Sequence, residues 1–171
     1  MNEECGVFGI FNQSQQKLDV AKLAYLGIFA LQHRGQESAG IAVSSGKNIL
    51  IYRDLGLVSE VFDEGILNTL QGNAAIGHVR YSTAGANNWE NSQPILNQYP
   101  GGSFSLAHNG HLINQNELKE NLSSKSLLFK NRNADSHLLC QLIGATKEKD
   151  IEKALEEVVQ KIKGAFCLVV L

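Results

Sequence analysis

This chain has no long apolar run, no closely paired cysteines and no excess of either charge. None of its 171 residues falls in a stretch approaching the ~20 consecutive apolar positions of a membrane-spanning helix, so no membrane partner is expected. The first residues lack the basic and apolar regions of a secretory signal. The three cysteines, Cys5, Cys140 and Cys167, are widely spaced with no CxxC, which fits a reducing compartment. With a net charge of −2 and dispersed Lys and Arg, there is no electrostatic footprint for nucleic acid. Repeats and low-complexity tracts are absent. There is no GxxxxGK[ST] loop, and "GVFGIF" is not a dinucleotide fingerprint. The expectation is a single cytoplasmic domain with enough chain to build its own core.

What is there alternates between strand and helix signals. "GVFGIFN" reads as a strand. "DVAKLAYLGIFALQHRG" reads as a helix, with Asp19 as N-cap, His33 and Arg34 in the last turn and Gly35 as the C′ residue. That helix is apolar on nearly all sides, which predicts burial between layers, and Gly27 inside it predicts close packing. "SAGIAVSSGKNILIYRDLG" reads as a hairpin turning at Ser45-Gly46. One or two short helices follow in "VSEVFDEGILNTLQG", then a strand in "AAIGHVRYST". "AGANNWENSQPILNQYPGG" reads as a long polar loop, a kind that tends to be functional. "SFSLAHNG" reads as a strand ending in a turn. "NQNELKENL", "ADSHLLCQLIGATK" and "DIEKALEEVVQKIKG" read as helices, and "AFCLVVL" as a buried strand in which Cys167, like Cys140 before it, is a small buried hydrophobe. The order favours antiparallel pairing and an α+β class. Leu171 closes the chain inside an apolar strand with no polar cap. A carboxylate there would be costly to bury, so the sequence is expected to be C-terminally truncated, a piece of a longer chain.

The polar residues that need explaining stand at strand ends and in Gly-rich turns. Cys5 is either buried filler or a nucleophile. A thiolate needs a base, which one of five histidines could supply. The alternative base is the residue's own α-amino group, with a pKa of about 7.7–8.0, once Met1 to Glu4 are removed. Arg80 is either a surface arginine or a planar fork for a substrate carboxylate. Asn109-Gly110 is either a turn or a pair of donors aimed at an oxyanion. Asp135 is either an N-cap or a carboxylate for a substrate ammonium. Arg34 and Gly35 close a helix or line a pocket. Among Cys5, His33, His78, His108 and His111 no pair has a recognised zinc spacing, so no metal site is expected.

Taken in order, "CGVFGI", "LQHRGQESAGI", "GHVRYSTAG", a following "QP", "LAHNGHLIN" and "ADSH" resemble the class II glutamine amidotransferases, a family of N-terminal-nucleophile hydrolases. The resemblance runs from Cys5 to Leu171. Within the family, "LQHRGQESAGI" and "HVRYSTAG" are most similar to the branch that passes ammonia to phosphoribosyl pyrophosphate, giving 5-phosphoribosylamine for purine synthesis. The sugar-phosphate branch usually has tyrosine where His33 stands and tryptophan where Tyr81 stands. The sugar-phosphate and asparagine synthetase branches, and a non-catalytic unprocessed module, are the alternatives.

The resemblance implies a four-layer αββα sandwich of two antiparallel sheets. It implies residues 1–4 as a propeptide and residues 5–171 as an incomplete glutaminase domain, with the phosphoribosyltransferase domain absent. Cys5 would be the nucleophile, and Asn109 with the Gly110 N–H the oxyanion hole. Arg80 would bind the α-carboxylate of glutamine and Asp135 its α-ammonium, while Gly35, beside Arg34, would approach the nucleophile. No cofactor is implied for this part. Full-length members bind phosphoribosyl pyrophosphate with magnesium, some carry an iron–sulfur cluster further along, and they are expected to be homo-oligomers. Two residues depart from the pattern. His111 follows Gly110 where asparagine is usual, and His137 follows Asp-Ser where glutamate is usual.

Overall fold

The computed structural model describes residues 5–14, 16, 18–81, 88–122 and 134–171. Two antiparallel sheets lie face to face, each covered on its outer side by helices. The first sheet has the order β1 (Gly6–Phe11), β4 (Ala74–Arg80), β2 (Ser38–Ser44), β3 (Ile49–Leu55). The second has the order β5 (Ile95–Tyr99), β6 (Gly102–Leu112), β7 (Gly164–Val170).

Strand alternation sorts the core into three layers. From β2, Ala39, Ile41 and Val43 face outward and pack with Val20, Ala21, Ala24 and Ile28 of α1 (Val20–Ala30) and with α2 (Val58–Val61) and α3 (Glu64–Thr69). From β6, Phe104, Leu106 and Leu112 face α4 (Gln115–Leu122), α5 (Asp135–Gly144) and α6 (Ile151–Val159). Between the sheets lie Ala42, Ile76 and Ala107, with Val7, Ile49, Ile51 and Val169 around them. Because β2 is covered on both faces, "SAGIAV" is buried throughout rather than alternating. The expected αββα sandwich is therefore the observed fold.

Helix ends follow side-chain capping. Asp19 accepts from the Lys22 N–H at 3.1 Å and starts α1. Asp150 accepts from the Glu152 N–H at 2.9 Å and starts α6. The apolar stripe on α6 is real: Ala154 and Val158 are buried, and Ile151, Leu155 and Ile162 pack around them.

Five expectations are corrected. First, α1 ends at Ala30, not at Gly35; its last turn tightens and Gln32–Arg34 form a separate 3-10 turn. Gly35 is extended, with φ −159°, so it is no left-handed cap. Second, α1 is not wrapped on all sides. It lies on one face of a sheet, leaving Leu26 and Phe29 about half exposed. Third, the long polar loop contains a 3-10 turn (Trp89–Asn91) and strand β5. Its Asn97 reads as loop in sequence but donates to Cys140 O at 2.8 Å. Fourth, Asn109-Gly110 is not a turn; β6 runs through it because β7 pairs alongside, Asn109 opposite Cys167 and Gly110 opposite Phe166. Fifth, β7 is only half-buried, with β6 on one side, and Cys167 is exposed. Cys140 does sit in the core, and burial pushes its thiol up to about 12.

Gly27 faces the Phe8 ring, and a Cβ there would overlap the ring atoms. Gly27→Ala is therefore expected to destabilise the protein by about 1–3 kcal/mol through overpacking, despite alanine's better helix propensity. Urea denaturation with an unchanged slope checks this; a midpoint at or above wild type would contradict it.

Candidate active site

One end of the sandwich collects most of the chemistry. Gly6 pairs with Val79, so Cys5 lies beside the end of β4. Its Sγ sits 3.6 Å from Tyr81 O and accepts from the Tyr81 N–H at 3.5 Å. The Cys5 carbonyl accepts from Arg34 Nε at 3.1 Å. Gly35 packs flat on β4: a Cβ there would come within 2.7 Å of the carbonyl carbons of both Val79 and Arg80. Arg34 and Gly35 thus hold the backbone around Cys5 from one side and the strand it leans on from the other.

Arg80 is the last residue of β4. It is two residues beyond His78, and its side chain shares His78's face, which looks toward the second sheet. A partner that sequence reading missed fixes the guanidinium: Arg80 Nη1 lies 2.7 Å from Glu37 Oε2, both side chains mostly buried. Glu37 also donates its N–H to Arg80 O at 3.0 Å. The pairing spans 43 positions in sequence, so no local pattern announces it.

The second sheet offers an edge. On β6 the odd-numbered backbone groups face β7, as the reciprocal bonds between Ser105 and Leu171 at 2.8 and 2.9 Å show. Even-numbered groups face β5, but β5 reaches only as far as Ile95, opposite Leu106. Beyond it side chains take over. The Gln93 amide accepts from the His108 N–H at 2.7 Å and donates to His108 O at 3.3 Å. Asp135 Oδ2 accepts from the Leu112 N–H at 2.9 Å. Alternation sets the Gly110 N–H between them, about 7 Å from that of Leu112. Gly110 has φ +141°, and a Cβ would overlap Ala165 O, so only glycine suits this position.

Asp135 is the first residue of α5; the cap position belongs to Ala134. Its carboxylate is used across the edge of β6 instead. One oxygen holds Leu112, with His111 Nδ1 at 3.4 Å. The other, Oδ1, is buried with no hydrogen-bond partner among the described residues. Of the two departures, His111 thus lies against Asp135, while His137 Nε2 stands 3.0 Å from Glu90 O.

His78 ties the two sheets together. It is fully buried, and its Nε2 lies 3.1 Å from His108 O. A carbonyl only accepts, so Nε2 carries the proton. Burial holds the imidazole down to about 3, and His108 is lowered too, chiefly by burial. Both are neutral near pH 7. Among the described residues no three His, Cys, Asp or Glu side chains converge into a metal-binding group. Also among them, no helix is long and apolar enough to cross a membrane.

Residues 78–171 match the family model described as "Glutamine amidotransferase domain". The chain belongs to this family. Curated relatives extend the likeness to the whole chain. It is 45% identical to an amidophosphoribosyltransferase of Mycobacterium leprae, over 97% of this chain and 30% of that protein. It is 44% identical to one of Methanocaldococcus jannaschii, over 98% and 35%. The amidophosphoribosyltransferase of Bacillus subtilis is 38% identical over 100% and 35%. A solved structure described as the allosteric regulatory enzyme of purine biosynthesis superposes with a TM-score of 0.85 at 36% identity, over 96% of this chain and 35% of that one. The glutamine phosphoribosylpyrophosphate amidotransferase of B. subtilis, complexed with ADP and GMP, gives 0.82 at 35%, over 96% and 34%. The fold is the N-terminal-nucleophile hydrolase sandwich of these glutaminase domains. The chain spans about a third of the length of the relatives it matches.

Resisting protonation gives His78 a measurable signature. Its folded pKa of about 3 lies below the ordinary 6.5. The unfolded chain therefore takes up the proton first, so this histidine's contribution is complete above pH 6.5 and is lost as pH falls through that window toward 3. His78→Gln keeps an Nε donor and does not titrate. Its urea midpoint should decline less steeply than wild type between those pH values; parallel declines would contradict the assignment.

Proposed function

We propose that this chain is the glutamine-hydrolysing part of an enzyme that delivers ammonia to phosphoribosyl pyrophosphate, forming 5-phosphoribosylamine for purine synthesis. The observation that carries the reading is the β6 edge: an N–H row that passes from Gln93 through Gly110 to Asp135, at the end of the sandwich where Cys5 and Arg80 stand. Identities of 38–45% to amidophosphoribosyltransferases support the choice of acceptor.

The chemistry follows from these residues. Removal of residues 1–4, which lie outside the described residues, leaves Cys5 with an α-amino group near its pKa at working pH. Through a water, that amine takes the thiol proton, and the thiolate attacks the side-chain amide carbon of glutamine. Charge develops on the amide oxygen, where Asn109 Nδ2 and the Gly110 N–H stabilise it. The C–N bond breaks, ammonia leaves with the proton returned by the amine, and a thioester remains on Cys5. Water then attacks the thioester through the same oxyanion and releases glutamate.

Binding uses charge at two points. The Arg80 fork grips the α-carboxylate, with Glu37 holding its other face. Asp135 Oδ1, a buried acceptor with no donor among the described residues, receives the α-ammonium. Arg34 and Gly35 keep Cys5 against β4. Magnesium for the phosphoribosyl substrate, and an iron–sulfur cluster where a member has one, belong by resemblance to chain beyond this part. Every step above uses this chain's residues alone. The full-length enzyme is read as a cytoplasmic homo-oligomer.

Cys5→Ala should abolish glutamine hydrolysis, a loss of at least ~10³-fold in kcat. Asp135→Asn should raise KM for glutamine about 10- to 100-fold with kcat changed much less, since it removes ground-state binding. Steady-state ammonia release checks both; undiminished turnover by Cys5→Ala would contradict the nucleophile assignment.

A further inference from the structure

Gln93 occupies a strand position without being strand. Continuing the β5–β6 register from Ile95 opposite Leu106 brings Gln93 opposite His108. Its backbone does not make the ladder bonds there. Its side-chain amide does, accepting from the His108 N–H at 2.7 Å and donating to His108 O at 3.3 Å. The backbone of Gln93 is turned toward the other sheet, where Gly40 makes room for it: a Cβ on Gly40 would overlap Gln93 O. Gln93 is 5% exposed, His108 4% and His78 0%, so water does not complete these bonds.

The segment around Gln93 is held from the first sheet and from α5. Arg53 of β3 donates to Ser92 O and, at 2.9 Å, to Pro94 O, and its guanidinium lies 5.0 Å from the centre of the Trp89 ring. From α5, His137 Nε2 meets Glu90 O at 3.0 Å. Such a clamp on a segment between two packed sheets leaves the Gln93 amide one orientation.

His108 O receives two donors, Gln93 Nε2 and His78 Nε2 at 3.1 Å. That oxygen shares a rigid peptide plane with the Asn109 N–H. Fixing it fixes the direction in which Asn109 leaves the backbone and the start of the Gly110 peptide. We propose that Gln93 and His78 are positioning residues that lock the His108–Asn109 peptide and so aim the oxyanion donors of Asn109 and Gly110. The inference rests on the reading of Asn109 and Gly110 as the oxyanion hole, and neither Gln93 nor His78 touches the substrate. Its consequence is selective. Looser donors weaken the hold on the tetrahedral intermediate, while the grips of Arg80 and Asp135 on ground-state glutamine are unaltered.

The test measures glutamine hydrolysis by the purified protein carrying Gln93→Leu, His78→Leu, His78→Gln or Asn109→Ala. Affinity for glutamate γ-semialdehyde, whose aldehyde adds to the cysteine thiol to give a tetrahedral adduct, is read in parallel. Gln93→Leu and His78→Leu should each lower kcat by about tenfold or more, with KM for glutamine moving less than about twofold. Semialdehyde affinity should fall by the same factor as kcat. His78→Gln, which retains a donor for His108 O, should recover most of the loss. If Gln93→Leu does not fold, the contrast between His78→Leu and His78→Gln carries the test alone. Unchanged kcat in the leucine variants, or a KM that rises in step with any loss, overturns the proposal. If Asn109→Ala lowers kcat while the leucine variants do not, only this positioning role fails. If Asn109→Ala is itself neutral, the oxyanion reading fails and takes the positioning role with it.

Discussion

Beyond Leu106, strand β6 has a neighbouring strand on one side only among the described residues, and backbone N–H groups at a sheet edge must find partners. β5 ends before the need does. The chain answers residue by residue, with the Gln93 amide at His108 and the Asp135 carboxylate at Leu112. The Gly110 N–H lies between those two side chains, in a strand that pairing with β7 keeps straight through a glycine of positive φ. An edge that would otherwise be a liability becomes a row of oriented donors beside a buried carboxylate oxygen. Such a row suits a ligand that carries a polar carbonyl at one end and a cation at the other.

The first sheet completes the constellation because the two sheets lie close. Small residues line the gap: Ala42 and Ala107 meet across it, and Gly9 and Gly40 leave room for Val169 and Gln93. His78 then reaches from β4 to the carbonyl of His108. That bond is worth little as net stability in isolation, since buried hydrogen bonds contribute about 1 kcal/mol each. Its value is geometric: it fixes the His108 carbonyl, and with it the peptide that leads into Asn109. Cys5 joins them through β1, whose pairing with β4 carries the start of the chain to Tyr81. Arg80 is pre-oriented by Glu37, and an arginine already held by a carboxylate gives up less conformational freedom on meeting a substrate carboxylate.

The sequence made legible whatever depends on neighbours in the chain. The Asp19 cap, the Ser45-Gly46 hairpin and the stripe along α6 are local patterns with local causes, and all are present. β5 was hidden because Asn97 and Gln98 look like loop, and only contact with α5 makes Asn97 useful. The Asn109-Gly110 pair favours a turn locally, and pairing with β7, more than fifty residues later, overrides it. Their places at strand ends and in Gly-rich turns single out Cys5, Arg34, Gly35, Arg80, Asn109, Gly110 and Asp135, and family resemblance gives each a role. The residues that hold them, Glu37, Gln93 and His78, act across 43, 15 and 30 positions, distances at which a single sequence carries no signal. In sequence His78 reads as one candidate base for Cys5 or as a candidate metal ligand. Its burial and its carbonyl partner give it a different task, that of a neutral donor.

The central claim is that Cys5 attacks a glutamine amide whose oxygen rests on the β6 edge. A glutamine-derived diazoketone that alkylates cysteine tests it most directly, followed by a crystal structure of the labelled protein. The expected structure has the label on Sγ of an N-terminal Cys5, its ketone oxygen within hydrogen-bond reach of the Gly110 N–H and Asn109 Nδ2, and its ammonium on Asp135 Oδ1. Label on Cys140 or Cys167 instead, or a ketone oxygen turned away from β6 into solvent, would contradict it.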